Sequence, residues 1–337
     1  MESFYNLIKT CVVDKIHSYK IEDANQPEAK KEFPKTISDF IKSNDSLESK
    51  VVCHDGNVLT IHTYRSSKCS VDALFEIIIQ LMSIISFLTK NRNQKITATF
   101  YLTPLKKRFH SFPITPDQIN SGYTSYISEN VKHITIYREE ELLKVWIHEC
   151  LHAFNLTSWF PDENTISCIH SSYHSMHPYL KTNMQAHVLE SEAYTEFMTQ
   201  IIYFTLWSSG YDDFLKILSE SIEYTEKQLT QLLYHANCGD GIRSNVESKC
   251  LWSEETASFG YIYLRLYLLR DPEFVFSYKT FDGMVTASDL HSIFKYLKKK
   301  YKLIQLNPAH KYKSNFSLRL TKPLSLYKSI SSSSTIY

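Results

Sequence analysis

The strongest constraint on the fold comes from residues 145–154, VWIHECLHAF. In an α-helix, residues four apart lie on one face, so His148 and His152 can direct both imidazoles to a single ion. Glu149 lies beside them on the same helix. Because zinc binds neutral imidazole nitrogens, this spacing predicts a helix that offers zinc two ligands and places a carboxylate next to them.

The residues around this motif favour a buried helix. Three glutamates, residues 139–141, are expected to open it, where acidic side chains suit the positive end of the helix dipole. Leu142, Trp146 and Phe154 add apolar surface. A buried His–His–Glu set needs partners, and a metal ion is the most economical one. The alternative is that both histidines are ordinary helix residues. Cys150 is interpreted as a small buried residue rather than a nucleophile.

A further ligand is expected downstream, in residues 187–198, HVLESEAYTEFM. This stretch is predicted to form a second helix, on which Glu192 and Glu196 share one face. One carboxylate can then bind the metal while the other supports it. The interval from the first motif is long, so Glu190 and Glu163 remain alternative ligands.

The two motifs together resemble the gluzincins, the thermolysin-like clan of zinc metallopeptidases, over residues 132–200. The resemblance implies that His148, His152 and Glu192 are the zinc ligands and that Glu149 is the general base. It also implies an α+β, zincin-like fold, in which a mixed sheet and the active-site helix form one lobe and a mainly helical lobe follows. The metal would lie in the cleft between these lobes.

The same resemblance gives two supporting roles. Glu196 would accept the free N–H of a ligand histidine and so orient it. A tyrosine or histidine of the C-terminal lobe would stabilise the oxyanion, with Tyr261 as the first candidate and His235 and Tyr263 behind it. A fainter similarity, around residues 134–140, is to uncharacterised predicted peptidases encoded by large DNA viruses, which would place the protein in the host cytoplasm or the virion.

Composition indicates a soluble globular protein, since 43% of the 337 residues are hydrophobic and the net charge is +1. Seven cysteines without Cys-x-x-Cys spacing, and an N-terminus unlike a signal peptide, favour a reducing, cytoplasmic compartment. Residues 71–88 are strongly apolar but carry Asp72, Glu76 and Gln80 along one edge. We therefore predict a buried helix there rather than a membrane span.

Four segments are predicted along the chain: an N-terminal extension (1–50), a zincin N-terminal lobe (51–160), a helical lobe carrying the third ligand (161–300) and a basic, serine-rich tail (301–337). Within the extension, helical patterns cover residues 4–16 and 37–41. The first lobe should contain a β-hairpin over 51–64, in which His54 and His62 face solvent, and strands over 95–103, 121–127 and 133–137. Residues 123–127 are expected at the sheet edge, where an extended peptide can pair.

The helical lobe begins with a predicted linker over residues 157–186. Its Cys168, His170, His174 and His177 are interpreted as solvated side chains, with a second metal site or a flap over the cleft as alternatives. Two helices should follow, divided at residues 208–210. Another helix is predicted from Ser253 to Leu269, with Ser253 as its N-cap.

The predicted function is zinc-dependent hydrolysis of peptide bonds, with a peptide or protein as substrate. One alternative is an inactive zincin fold kept as a structural or interaction protein. Another is a nucleic-acid-associated protein, because the chain from residue 290 onward carries ten Lys or Arg and no Asp or Glu. Such a tail could also bind anionic lipid or an acidic partner, although a solvated helix end is the simpler interpretation.

Overall fold

The computed structural model describes residues 1–11, 19–64, 70–91, 93–156, 163–176, 180–236, 252–278, 285–301 and 316–321. The architecture is α+β, with a mixed sheet as expected. The chain divides into two compact units. The sheet unit comprises the described residues of 2–107 and 120–156, and the helical unit comprises Met1, Arg108–Ile119 and the described residues of 163–321.

The strands, in chain order, are β1 (Ile21–Asp23), β2 (Glu48–His54), β3 (Asn57–Thr63), β4 (Lys95–Leu102), β5 (Arg108–Phe109), β6 (Gly122–Ser128), β7 (Val131–Ile136), β8 (Leu180–Thr182), β9 (Trp252–Glu254) and β10 (Phe316–Ser317). The α-helices are α1 (Glu2–Thr10), α2 (Lys35–Ser43), α3 (Val71–Leu88), α4 (Pro116–Ile119), α5 (Leu142–Ala153), α6 (Glu163–Met176), α7 (Ala186–Trp207), α8 (Tyr211–His235), α9 (Arg265–Arg270), α10 (Pro272–Tyr278) and α11 (Ala287–Lys300). A π-helical turn, Gly260–Leu264, leads directly into α9.

The sheet unit is built on a six-stranded sheet in the order β1-β2-β3-β4-β7-β6. The predicted hairpin is confirmed, since β2 and β3 pair antiparallel around Asp55 (φ 49°) and Gly56 (φ 75°), the positive values that such a turn requires. Strands β3, β4 and β7 run parallel, and β6 pairs antiparallel with β7. The expected edge position of residues 123–127 is therefore confirmed, because β6 is the last strand.

Both faces of this sheet are covered. On one face, the Trp146 ring of α5 lies 5.1 Å from the Phe100 ring of β4, measured between centroids. The Trp146 indole also donates to the Ile78 carbonyl of α3 (3.0 Å), which ties the two helices together. On the other face, Phe33 and α2 pack against Tyr101 and Tyr137. Helix α5 is thus held by the core of the sheet unit rather than by a loop.

Helix α3 has the length and apolar composition of a segment that can cross a membrane, and 56% of its residues are buried inside the protein. The core helix of a globular domain meets the same criterion. Ser70 caps this helix by accepting a hydrogen bond from the Ala73 amide. Phe75, Ile78 and Ile85 of this helix are 0% exposed, as predicted for a buried helix.

Burial corrects the prediction for the histidines of the hairpin. His62 is 5% exposed, and its Nδ1 lies 2.8 Å from the Ser49 hydroxyl on β2. Burial, with a smaller effect from the charge of Lys30, lowers the pKa of His62 to about 4. His54 is half-buried and lies 3.4 Å from Asp55. The predicted solvent-facing position is wrong for His62, because Ser49 and the residues covering the sheet shield it.

The helical unit is formed chiefly by α7, α8, α9 and α11, which pack on one another. The predicted division of residues 187–234 into two helices is confirmed, with Ser208 ending α7 and Gly210 preceding α8. The linker predicted over 157–186 is partly wrong, because residues 163–176 form α6 and residues 180–182 form β8. Residues 157–162 and 177–179 lie outside the described part of the chain.

The helix predicted from Ser253 begins later than expected. Residues 252–254 form β9, which pairs parallel with β8. The Glu254 carboxylate turns toward the following helical segment and accepts hydrogen bonds from the Ser258 hydroxyl, the Phe259 amide and the Trp252 indole. Glu254 therefore lies before the helical segment and accepts hydrogen bonds from it. The residues that the N-cap pattern assigned to the first helical turn instead pair with β8 as a strand.

Part of the predicted tail is packed. Strand β10 pairs antiparallel with β5, and Leu318 and Leu320 are 0% and 3% exposed. The predicted N-terminal helix is shorter than expected, since α1 ends at Thr10. Residues 12–18, 302–315 and 322–337, including the serine run, lie outside the described residues.

Candidate metal centre

The start of α5 differs from the prediction in one respect. Glu141 precedes the helix in a left-handed conformation (φ 60°), so residues 139–141 do not form its first turn. The Glu140 carboxylate instead accepts a hydrogen bond from the Lys107 amide (2.6 Å), and the Lys107 ammonium lies 3.0 Å from Glu141. These acids anchor the entry to α5 onto the loop after β4.

The two histidines of α5 are brought together as predicted. His148 and His152 are each 6% exposed, and their Nε2 atoms lie 3.0 Å apart. The ring planes are inclined by 78°. Two nitrogens bound about 2.0–2.1 Å from one tetrahedral zinc would lie about 3.3 Å apart. The donor pair therefore fits a zinc ion with only a small adjustment of the rings.

Glu149 is buried beside this pair, with 6% of its surface exposed. Its Oε2 accepts a hydrogen bond from the Thr124 hydroxyl (2.8 Å), which also lies 3.1 Å from the Glu149 backbone carbonyl. Sequence reasoning did not identify Thr124. The available signal was the alternation along β6, which places every second side chain on the face toward the following helix.

Helix α7 carries the predicted third ligand, Glu192, which is 9% exposed. The two histidines belong to the sheet unit and Glu192 to the helical unit. The assignment of Glu192 as a ligand itself stays a prediction.

The alternative third ligands have other surroundings. Glu190 is 1% exposed, and its Oε1 lies 3.0 Å from Nδ1 of His291 on α11. Glu163 is the first residue of α6 and is exposed. Glu190 therefore already has a histidine partner within the helical unit.

Glu196, the predicted supporting carboxylate, lies in a buried polar network of the helical unit. Its Oε1 accepts from the Arg265 guanidinium (3.3 Å) and from the Gln200 amide (3.2 Å). Arg265 is 0% exposed and also donates to the Thr225 hydroxyl and the Leu320 carbonyl. The predicted hydrogen bond from a ligand histidine to Glu196 stays a prediction. Sequence reasoning missed Arg265, and its place in an apolar helical pattern gave no signal.

The oxyanion candidates fall in different environments. Tyr261 lies half-buried in the π-helical turn. The Tyr263 hydroxyl lies 3.1 Å from that of Tyr267, so it already has a phenol partner. His235 packs among aromatic rings, 5.2 Å from the Phe109 ring centroid and stacked on Phe316. The choice of Tyr261 as the first candidate stays a prediction.

The described structure gives no support for a second metal site among the cysteine and histidine residues of the predicted linker, residues 157–186. Cys168 and His170 are exposed on α6, the side chain of His174 is not described, and His177 lies outside the described residues. Cys150 is fully buried, and burial, with the nearby Glu149 charge, raises the pKa of its thiol well above the ordinary value. This is the environment of a packing residue rather than of a nucleophile.

When the chain was compared with models of protein families and with curated protein sequences, none of them matched it.

Proposed function

We propose that this protein is a zinc-dependent metallopeptidase with a zincin-like fold, in which His148, His152 and Glu192 hold the ion. The observation that carries the proposal is the buried histidine pair on α5, with its Nε2 atoms 3.0 Å apart and Glu149 adjacent. Two imidazoles buried this close together are better accommodated by a shared metal ion than by apolar neighbours, because buried polar groups need a partner. Glu192 is proposed as the third ligand because residues 187–198 resemble the gluzincin pattern, and its side chain is buried on α7.

A zinc ion bound there would polarise the substrate carbonyl and make a water molecule more acidic. Glu149 would take the proton of the water that attacks the carbonyl carbon and then deliver it to the leaving amine. Tyr261 would donate a hydrogen bond to the developing oxyanion. Arg265 balances the charge of Glu196. Glu196 would accept a hydrogen bond from the ring nitrogen of a ligand histidine that does not bind the metal, and would so orient the ring.

The edge strand supports a peptide as substrate. β6 is the last strand of its sheet, and its side chains Tyr126 and Ile127 are 51% and 63% exposed. An extended peptide can add to such an edge through backbone hydrogen bonds, with side-chain specificity set by alternate residues. β6 also carries Thr124, which contacts Glu149, so the strand that would bind substrate is linked to the proposed base.

Zinc content per chain tests the proposal. We would measure it by elemental analysis on the purified parent, on Glu192→Ala and on Glu163→Ala, whose exposed side chain makes it the matched control. We expect one zinc in the parent and in Glu163→Ala, and much less in Glu192→Ala. A folded parent that has never met a chelator and holds no zinc would contradict the proposal. A peptide-library assay with and without chelator then distinguishes an enzyme from an inert metal-bound fold.

A further inference from the structure

The hydroxyl of Thr124 is the one hydrogen-bond donor that the described structure shows at the Glu149 carboxylate. Its Oγ1 lies 2.8 Å from Oε2 and 3.1 Å from the backbone carbonyl of the same residue. The Thr124 hydroxyl therefore contacts both the backbone carbonyl and the side-chain carboxylate of Glu149, and the carboxylate is the closer of the two. Both residues belong to the sheet unit.

The close approach of β6 to α5 makes this contact possible. Gly122 lies two residues before Thr124, so both occupy the same face of the strand. A Cβ atom on Gly122 would lie 3.3 Å from Cγ1 of Val145 on α5 and 2.8 Å from the Thr135 carbonyl on β7. Because glycine has no Cβ, the helix can lie close to the strand, within reach of a side chain as short as threonine.

We propose that Thr124 is a positioning residue for the general base: its hydroxyl engages Oε2 of Glu149 and leaves Oε1 to accept the proton of the attacking water. This inference rests on the proposed function and adds a residue to it. A glutamate side chain has several rotatable bonds, and a β-branched threonine on a strand is stiff at χ1. The strand thus restricts the carboxylate to one orientation before substrate binds, which is how positioned groups gain rate.

The chemistry of the donor suits this role. A neutral hydroxyl orients the carboxylate through one hydrogen bond and adds no positive charge beside it. A lysine or arginine in the same place would form an ion pair that opposes protonation. Since β6 is also the proposed peptide-binding edge, substrate backbone and base would share one rigid frame.

The test compares Thr124→Val, which keeps shape and loses the hydroxyl, with Thr124→Ser, which keeps the hydroxyl. Thr60→Val is the matched control, because Thr60 is also half-buried in this sheet but lies on β3, three strands away. The full-length, zinc-loaded proteins are assayed on internally quenched fluorescent peptides. We expect kcat to fall about tenfold in Thr124→Val with KM nearly unchanged, to recover largely in Thr124→Ser and to stay at the parent value in Thr60→Val.

Two further measurements isolate the route of the effect. Zinc content should be equal in all these proteins, and adding Thr124→Val to Glu149→Gln should cause no additional loss, because the hydroxyl acts through the carboxylate. If Thr124→Val fails to fold, Thr124→Ala supplies the same comparison at smaller volume.

The outcomes separate this inference from the proposed function. A Thr124→Val protein with parental kcat, or one whose lost activity tracks lost zinc, overturns the role of Thr124 while the metallopeptidase proposal stands. A parent that cleaves no peptide, or a Glu149→Gln protein with full activity, overturns both.

Discussion

Glu149 in the sheet unit and Glu196 in the helical unit are both buried carboxylates, but their surroundings differ. The Glu149 carboxylate meets a neutral donor, the Thr124 hydroxyl. The Glu196 carboxylate meets the guanidinium of Arg265, which is itself 0% exposed, and the side-chain amide of Gln200. Among the described residues, only the second of these two carboxylates has a cationic partner.

This difference separates two roles. A carboxylate that accepts a proton during a reaction must not be locked in an ion pair, whereas one that only orients another group benefits from a permanent counter-charge. The contrast agrees with Glu149 as the proposed base and Glu196 as the proposed support.

Replacing Glu149 should abolish turnover without removing the metal. In Glu149→Gln we expect peptide hydrolysis to fall by about 10³-fold, within the range of general-base catalysis, while elemental analysis shows unchanged zinc. In Glu196→Gln the loss should be smaller, about 10-fold to 100-fold, because that side chain acts through its neighbours. Equal losses in the two variants would remove the distinction between base and support.

Removing the counter-charge of Glu196 should destabilise the protein strongly. Arg265→Met leaves a buried carboxylate uncompensated, so we expect the free energy of unfolding, measured in urea, to fall by about 3–5 kcal/mol. The double variant Arg265→Met/Glu196→Leu should recover much of this loss. Arg270→Met is the control: its partner Glu226 is 38% exposed, so its removal should cost at most about 1 kcal/mol. Similar losses for both arginines would show that the buried pair is not special.

Two glycines allow close packing against the helices that carry the candidate site. A Cβ on Gly260 would lie 2.6 Å from the Leu189 carbonyl of α7, and one on Gly122 would lie 2.8 Å from the Thr135 carbonyl. We expect Gly260→Ala and Gly122→Ala to lower the free energy of unfolding by about 1–3 kcal/mol, with Gly260→Ala the more costly. Gly210→Ala should be nearly neutral, since nothing lies within 4 Å of its added Cβ. A destabilised Gly210→Ala protein would argue against this steric account.

The two units should respond to pH in opposite directions. Burial lowers the pKa of His62 from 6.5 to about 4, so the unfolded chain binds more protons between these values and stability is lost as pH falls through them. Burial raises the pKa of Glu254 from 4.5 to about 7, so the folded chain binds more protons there and this contribution is lost as pH rises through 7. Each group should contribute a slope of at most about 1.4 kcal/mol per pH unit.

Because the two pH windows overlap and the slopes oppose each other, urea unfolding between pH 4 and 8 must be measured on the parent and on a variant of each group. His62→Gln should weaken the acid-side loss, and Glu254→Gln should remove the decline toward pH 7. The slope that persists in His62→Gln is expected from His133, whose pKa burial also lowers to about 4. Unchanged profiles in both variants would contradict the assignment of these groups.

The elements that were predicted correctly depend on contacts between near neighbours in the chain. The histidine pair follows from a four-residue spacing on one helix, and the β2–β3 hairpin from Asp55-Gly56, which accept positive φ. The division between α7 and α8 follows from residues 208–210, which interrupt the helical pattern. In each case the interacting residues are separated by only a few positions in the chain, so their spacing in the sequence determines their distance in the structure.

The features that were missed depend on partners far apart in the chain. Thr124 and Glu149 are 25 residues apart, and Arg265 and Glu196 are 69 apart, so no local pattern pairs them. The same reason applies to residues 252–254, where pairing with β8 outweighed an N-cap pattern, and to His62, which the covering residues bury. Local preferences of a few tenths of a kcal/mol per residue specify which helices and strands can form. Burial and hydrogen bonds between distant segments, worth about 1 kcal/mol or more each, select among them and place the side chains around each carboxylate.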